Sequence, residues 1–214
     1  MHLIGEPALG ILVLVVLASL VAVKRLATGS VLDERPDARA LVKVVNAFNL
    51  TFLLLISPLA ALLLLAGRLE AWDPTHLAVP SAGSRGAVEV LGILAYVAGG
   101  ALMMWALLTL RSSYQLGGMA PRSRDALVTG GPYARMRHPM YAAALAMALG
   151  LGLALQSLLC LGVFAVYLAL LSRLMPLEEA GMRAAYGEAY ERYALAVPRL
   201  IPSRIRKASL RKSG

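Results

Sequence analysis

PMYAAALAMALGLGLALQSLLCLGVFAVYLALLSRL, residues 139–174, is a nearly unbroken apolar run whose single charge is Arg173. An α-helix needs about 20 apolar residues to cross the hydrocarbon core of a bilayer, so these 36 residues are too many for one upright span and enough for two short ones. Gly150, Gly152, Gln156 and Ser157 sit near the middle, where small and polar side chains suit a tight turn. Backbone groups in lipid have no water to bond, so such a turn must lie at the interface or under neighbouring helices. The run reads as a transmembrane helical hairpin of two spans, 139–155 and 157–174, with one long tilted helix as the alternative.

Three further segments, 7–23, 44–66 and 87–110, approach spanning length. With 59% hydrophobic residues, 15% charged residues and a mean hydropathy of +0.70, the chain is no ordinary soluble domain, which carries about 25% charge. The prediction is an all-α polytopic membrane protein of about five transmembrane helices. Residues 1–110 hold the first three spans, 111–202 a core of loop, hairpin and C-terminal helix, and 203–214 a polybasic tail. Asp33 to Arg39, around Pro36, reads as a charged connector. Residues 73–86, with Pro74, Pro80, Gly83 and Gly86, read as a loop.

Nineteen of the Lys and Arg residues fall on the side that holds the C-terminus, against Arg68 and Arg85 on the other. The positive-inside rule then predicts the N-terminus outside and the C-terminus in the cytoplasm. Glu6 before the first span and Lys24-Arg25 after it reverse the charge order of a signal peptide, so that span reads as a retained anchor. The net charge of +9 follows the basic membrane face without an aromatic ladder for base stacking, which argues for membrane lipids as partners and against nucleic acid. Richness in Ala, Leu and Arg points to a GC-rich bacterial genome, hence a bacterial inner membrane. The lone Cys160 lies inside a span, so neither a disulfide framework nor a metal site is expected. Asn49-Leu50-Thr51 matches a glycosylation pattern inside the second span, where Asn46, Asn49 and Thr51 are instead expected to hydrogen-bond across helices.

Polar clusters bracket the hairpin. Before it come Gly131-Pro132-Tyr133 and Arg137-His138-Pro139-Met140-Tyr141. After it come Glu178-Glu179, Tyr186-Gly187-Glu188-Ala189-Tyr190-Glu191-Arg192-Tyr193 and Val197-Pro198-Arg199-Leu200-Ile201-Pro202. Met182, Ala185, Tyr186, Ala189, Tyr190 and Tyr193 recur at three and four residues, which predicts a cytoplasmic C-terminal amphipathic helix. Pro176 cannot continue a helical ladder without a break, so it is the expected pivot, with Glu178 and Glu179 in the first turn of a new helix.

Over roughly residues 105–202, the order and spacing of these clusters resemble the isoprenylcysteine carboxyl methyltransferase and phospholipid methyltransferase superfamily. Its members are integral membrane enzymes that use S-adenosylmethionine. The resemblance implies that His138, Pro139, Tyr141, Glu178 and Glu179 line a cofactor pocket and that the loop Leu127-Val128-Thr129-Gly130 adds backbone contacts. Such a donor carries a sulfonium, an amino group and a carboxylate. Glu178 or Glu179 suits the cations, His138 the carboxylate, and Tyr133, Tyr141 and Tyr190 the adenine walls. Arg137 and Arg173, one entering the hairpin and one leaving it, read as a pair of cations positioning an anionic acceptor. An amine, thiol or phenol acceptor would instead need a base, with Glu179 or a tyrosine in that role.

The implied activity is methyl transfer to a lipophilic or membrane-partitioned acceptor, a carboxylate of isoprenylcysteine type being most like the family. In-line methyl displacement needs no metal and no nucleophilic Ser or Cys. Two other readings stay open: a membrane oxidoreductase related to the sterol reductases and using NADPH, and a non-enzymatic membrane scaffold. The plainer readings of single residues are helix capping by His138, an interfacial belt position for Tyr141 and snorkelling to headgroups for Arg173.

Overall fold

The computed structural model describes residues 5–29, 39–75, 77–114 and 125–201. Most of the connector around Pro36, together with Pro202 and the polybasic tail, lies outside the described residues. Within them the chain is all-α. Helix α1 (Glu6–Thr28) is followed by α2 (Ala40–Thr51), a π-helical turn (Phe52–Ile56) and α3 (Ser57–Leu65), which together make one continuous helical run. A short α4 (Leu69–Trp72) precedes α5 (Ala82–Leu110), and then come α6 (Pro139–Ala154), α7 (Leu158–Tyr186) and α8 (Glu188–Ala196).

Four of these runs, Glu6–Thr28, Ala40–Leu65, Ala82–Leu110 and Leu158–Tyr186, are long and apolar enough to cross a membrane, as expected of an integral membrane protein. The predicted fourth span differs. Helix α6 has 16 residues, about 24 Å at 1.5 Å per residue, against a hydrocarbon core of about 30 Å. Ten of those residues are buried in protein, which explains both their apolar character and the shortness. Helix α6 packs at the centre of the bundle.

Its main partner is α5. A Cβ on Gly92 would lie 2.3 Å from the Ala154 nitrogen, and one on Gly150 would lie 2.4 Å from the Tyr96 nitrogen. The two backbones therefore touch along an antiparallel seam that only glycine permits, as in other membrane helix pairs. Gly150 and Gly152 serve these interfaces, the latter facing the Leu161 side chain, rather than the turn. The opposite face of α6, with Tyr141 and Leu145, packs on Val42 and Val45 of α2 and on Tyr167, Leu171 and Leu174 of α7.

The turn itself is Leu155-Gln156-Ser157, with Gln156 in the left-handed region at φ 51°. It is covered by the segment after α4. Ser157 donates to Asp73 Oδ2 and accepts from the Cys160 amide (3.0 Å), capping α7. Asp73 Oδ1 also accepts from the Thr75 amide (3.0 Å) and hydroxyl, and Thr75 accepts from the Leu158 and Leu159 amides. Asp73 and Ser157, the buried members of this set, thereby satisfy groups that the apolar surroundings would otherwise strand.

Two expected breaks moved. Helix α5 begins at Ala82, inside the predicted loop, because Ser81 and Ser84 form a reciprocal capping box. Helix α7 runs through Pro176, so Glu178 and Glu179 lie in its interior and not in a first turn. One lost backbone bond is outweighed by the contacts that hold this stretch, with Leu174, Met175 and Glu179 all buried. The amphipathic stretch breaks instead at Gly187, at φ 52°, which starts α8.

Candidate functional site

Where α6 begins and α7 ends, the polar clusters meet. The Arg137 and His138 amides donate to the Pro198 (2.8 Å) and Arg199 (2.9 Å) carbonyls, so the Val197-Pro198-Arg199 segment is fastened to the start of α6. Pro139 is well suited to the first helical position, where no backbone donor is needed. These backbone bonds bring Arg137, His138, Glu179 and Arg199 together.

Glu179 is completely buried. Its Oε1 accepts from Arg137 Nη2 (2.8 Å) and Nε (3.1 Å), and Arg199 grips both oxygens through Nε (3.0 Å) and Nη2 (2.9 Å). Arg183 Nη2 lies 3.7 Å from Oε2. Arg137 also donates from Nη1 to the carbonyls of Ala194 (2.7 Å) and Val197, closing the C-terminal end of α8. A carboxylate this enclosed is stable because cations and hydrogen bonds replace its lost hydration.

His138 sits between the two glutamates, with Nε2 at 3.3 Å from Glu179 and Nδ1 at 3.5 Å from Glu178. Burial pulls its pKa down, but the hydrogen bonds and charges of Glu178 and Glu179 outweigh burial and raise it above the ordinary histidine value. Its ring stacks on Tyr141 at 5.5 Å, and the Tyr141 hydroxyl donates to Glu178 Oε1 at 2.5 Å. A chain of contacts thus runs from Arg199 through Glu179, His138 and Glu178 to Tyr141.

Helix α8 and the last residue of α7 secure the loop before α6. Tyr193 donates to the Tyr133 carbonyl (2.7 Å), and Tyr186 donates to the Asp125 carbonyl (3.2 Å). Burial first, then nearby Glu179, pushes Tyr190 up to about 12. Burial raises Tyr133 and Tyr193 as well. Burial thus favours the neutral phenol at all three positions.

Beside the cluster lies a cavity of about 790 Å³, within the 300–1,000 Å³ range of small-molecule sites. Every sequence-predicted cofactor residue except Glu179 lines it: Leu127, Val128, Tyr133, His138, Pro139, Tyr141, Glu178 and Tyr190, together with Arg137. Glu179 lies behind the wall, where its carboxylate is occupied by arginines, so Glu178 is the member of the pair that faces the space. Arg173 does not join. It is exposed on α7 and absent from the lining, and the second arginine of the cluster is Arg199. Burying Leu171, Leu174 and Met175 toward the core turns Arg173 outward.

Sequence reasoning quoted Arg199 within its motif but gave it no role. The signal available was an arginine between the two prolines of the Val197–Pro202 motif, which already stood among the polar clusters flanking the apolar run. Asp125, Met182 and Tyr193 were also missed as lining residues. The far wall is hydrocarbon, with Leu17, Leu20, Phe52, Leu53 and Met103, and carries Asn46 and Asn49. Asn49 hydrogen-bonds Tyr167 of α7, the cross-helix bond expected of it.

Residues 88–189 match the family model described as phospholipid methyltransferase. The match begins earlier than Trp105, in α5, takes in most of α5 and all of α6, and is consistent with the S-adenosylmethionine-dependent membrane methyltransferases. It names no acceptor. No curated protein matches the chain.

Proposed function

We propose that this protein transfers a methyl group from S-adenosylmethionine to a lipophilic acceptor, with the polar end of the bundle at the cytoplasmic face. The observation that carries the reading is a single cavity that joins the Glu178–His138–Tyr141 chain to a hydrocarbon wall. A water-soluble donor and a greasy acceptor need such a two-natured space.

When bound, S-adenosylmethionine supplies an electrophilic methyl group on a sulfonium. The residues present fit it. Glu178 offers a cavity-facing carboxylate for positive charge, His138 a hydrogen-bonding ring, and Tyr133 and Tyr190 neutral aromatic walls. Arg137, itself in the cavity wall, and Glu179 behind it act as positioning residues, fixing the ring of His138 and the end of α8. The cavity's apolar wall supports desolvation of the acceptor, which strengthens its nucleophilicity. A carboxylate acceptor of isoprenylcysteine type needs no base and agrees with the sealed state of Glu179.

The test is the melting temperature of detergent-purified protein with S-adenosylhomocysteine or NADPH. A hundredfold excess over Kd stabilises by about 2.7 kcal/mol, a shift of several degrees. The reading expects that shift with S-adenosylhomocysteine in wild type and its loss in Glu178→Gln. A shift with NADPH alone would move the protein to the oxidoreductases, and none with either would leave a scaffold.

A further inference from the structure

The half of the cavity that the family match does not cover has an order of its own. On α1, Leu17, Leu20, Val21 and Lys24 line it at the i, i+3, i+4, i+7 spacing of one helix face. On α2, Lys43, Asn46, Ala47 and Leu50 repeat that spacing, and Leu53 and Leu54 of the π-helical turn extend it. The helices are consecutive, so Lys24 in the last turns of α1 and Lys43 in the first turn of α2 come to the same end of the wall. That end also carries the start of α6 and the end of α7, hence His138 and Glu178. The wall is therefore cationic at its mouth and apolar below.

It is also open sideways. Leu50 and Leu54 line the cavity while remaining 55% and 56% exposed, and Val21 is 36% exposed. Lys24 holds a position over the Tyr114 ring, 5.4 Å from its centroid, and Tyr114 lines the same cavity. Among the described residues, the acidic ones that line the cavity, Glu178 and Asp125, come instead from α7 and from the segment before α6.

Resting on the methyltransferase reading for its biological sense, we infer that the α1–α2 wall is an amphiphile subsite, in which Lys24 and Lys43 hold an anionic group of the acceptor and the stripe below holds its hydrocarbon chain. The ligand class is a single-chain amphiphile with a phosphate or carboxylate, taken from the lipid phase through the Val21–Leu50–Leu54 side. Acceptor choice is then set by lining residues of α1, α2 and the π-helical turn, outside the matched 88–189.

The probe is radiolabelled dodecyl phosphate bound to full-length protein in neutral maltoside micelles, with dodecyltrimethylammonium as the opposite charge. Wild type should prefer the phosphate by about tenfold or more, and Lys24→Gln with Lys43→Gln should weaken it by about tenfold per lysine. Leu53→Trp, or Leu50→Trp if the first folds poorly, fills the apolar wall and should weaken it too. Unchanged affinity in the double lysine variant, or preference for the ammonium amphiphile, overturns the inference. So does loss in the lysine variant with wild-type affinity in both tryptophan variants, because the lysines would then only recruit headgroups at the rim. The S-adenosylhomocysteine shift should survive in all variants. Its absence in wild type, with dodecyl phosphate behaving as stated, supports the subsite and sinks only the methyltransferase reading.

Discussion

The bundle buries a carboxylate at each end of the α6–α7 pair, and their neighbours differ in kind. Asp73 is held by the hydroxyls of Thr75 and Ser157 and by a backbone amide, and it does not line the cavity. Glu179 is held by Arg137, Arg199 and His138, with Arg183 close by, and borders the cavity wall. Among the described residues, hydroxyls and an amide bond one carboxylate and make a latch that pins a loop to a turn. Several cations around the other exceed its charge, so the second carboxylate beside it, Glu178, completes the balance while facing open space. Buried charge marks a candidate site where the compensation is larger than the buried group requires and the surplus faces a cavity.

The largest expected effect is at Glu179. Glu179→Ala strands Arg137, only 10% exposed, and should cost about 3–5 kcal/mol of stability, read from unfolding in detergent. Glu178→Ala should cost much less while removing the S-adenosylhomocysteine shift. Equal losses would erase the distinction between the two glutamates. Next is the latch. Asp73→Ala leaves the buried Ser157 hydroxyl and the exposed Thr75 hydroxyl short of an acceptor and should cost about 1–3 kcal/mol, with ligand stabilisation intact. A lost ligand shift there would break the separation of the two ends.

Arg199→Gln, at a half-exposed position, should cost about 1 kcal/mol, because Arg137 still compensates Glu179. The smallest effect is on pH dependence. His138 has a raised folded pKa, so its contribution is complete below the unfolded value near 6.5 and is lost as pH rises through the folded value. The stability gap between wild type and His138→Gln should narrow from pH 6 upward. Asp73→Ala should retain the wild-type slope, and a changed slope would mean that the two ends are coupled.

Much of this was legible in residue order. Apolar length and helical period are local properties, so the helical class, the membrane character and the turn near Gln156 and Ser157 were readable. The polar motifs flanking the apolar run located the candidate cluster, since the two ends of a folded-back run must come near each other. What local pattern hides is which neighbour wins. Arg173 and Arg199 are equally basic in sequence, and burial of Leu171 and Leu174 turns the first outward while the backbone bonds of residues 198 and 199 carry the second inward. Pro176 carries a breaking signal that tertiary contacts override.

The sequence by itself determined that the chain crosses a membrane as helices and gathers His138, Tyr141, Glu178 and Glu179 at one end, because hydrophobic length and motif spacing are written residue by residue. Only the tertiary structure decided that α6 is a short buried centre against the Gly92–Gly150 seam, that Glu179 is sealed while Glu178 faces the cavity, and that Lys24 and Lys43 share its far rim. Those outcomes depend on which helices pack side by side, and packing is a property of pairs of surfaces that no single stretch of sequence carries.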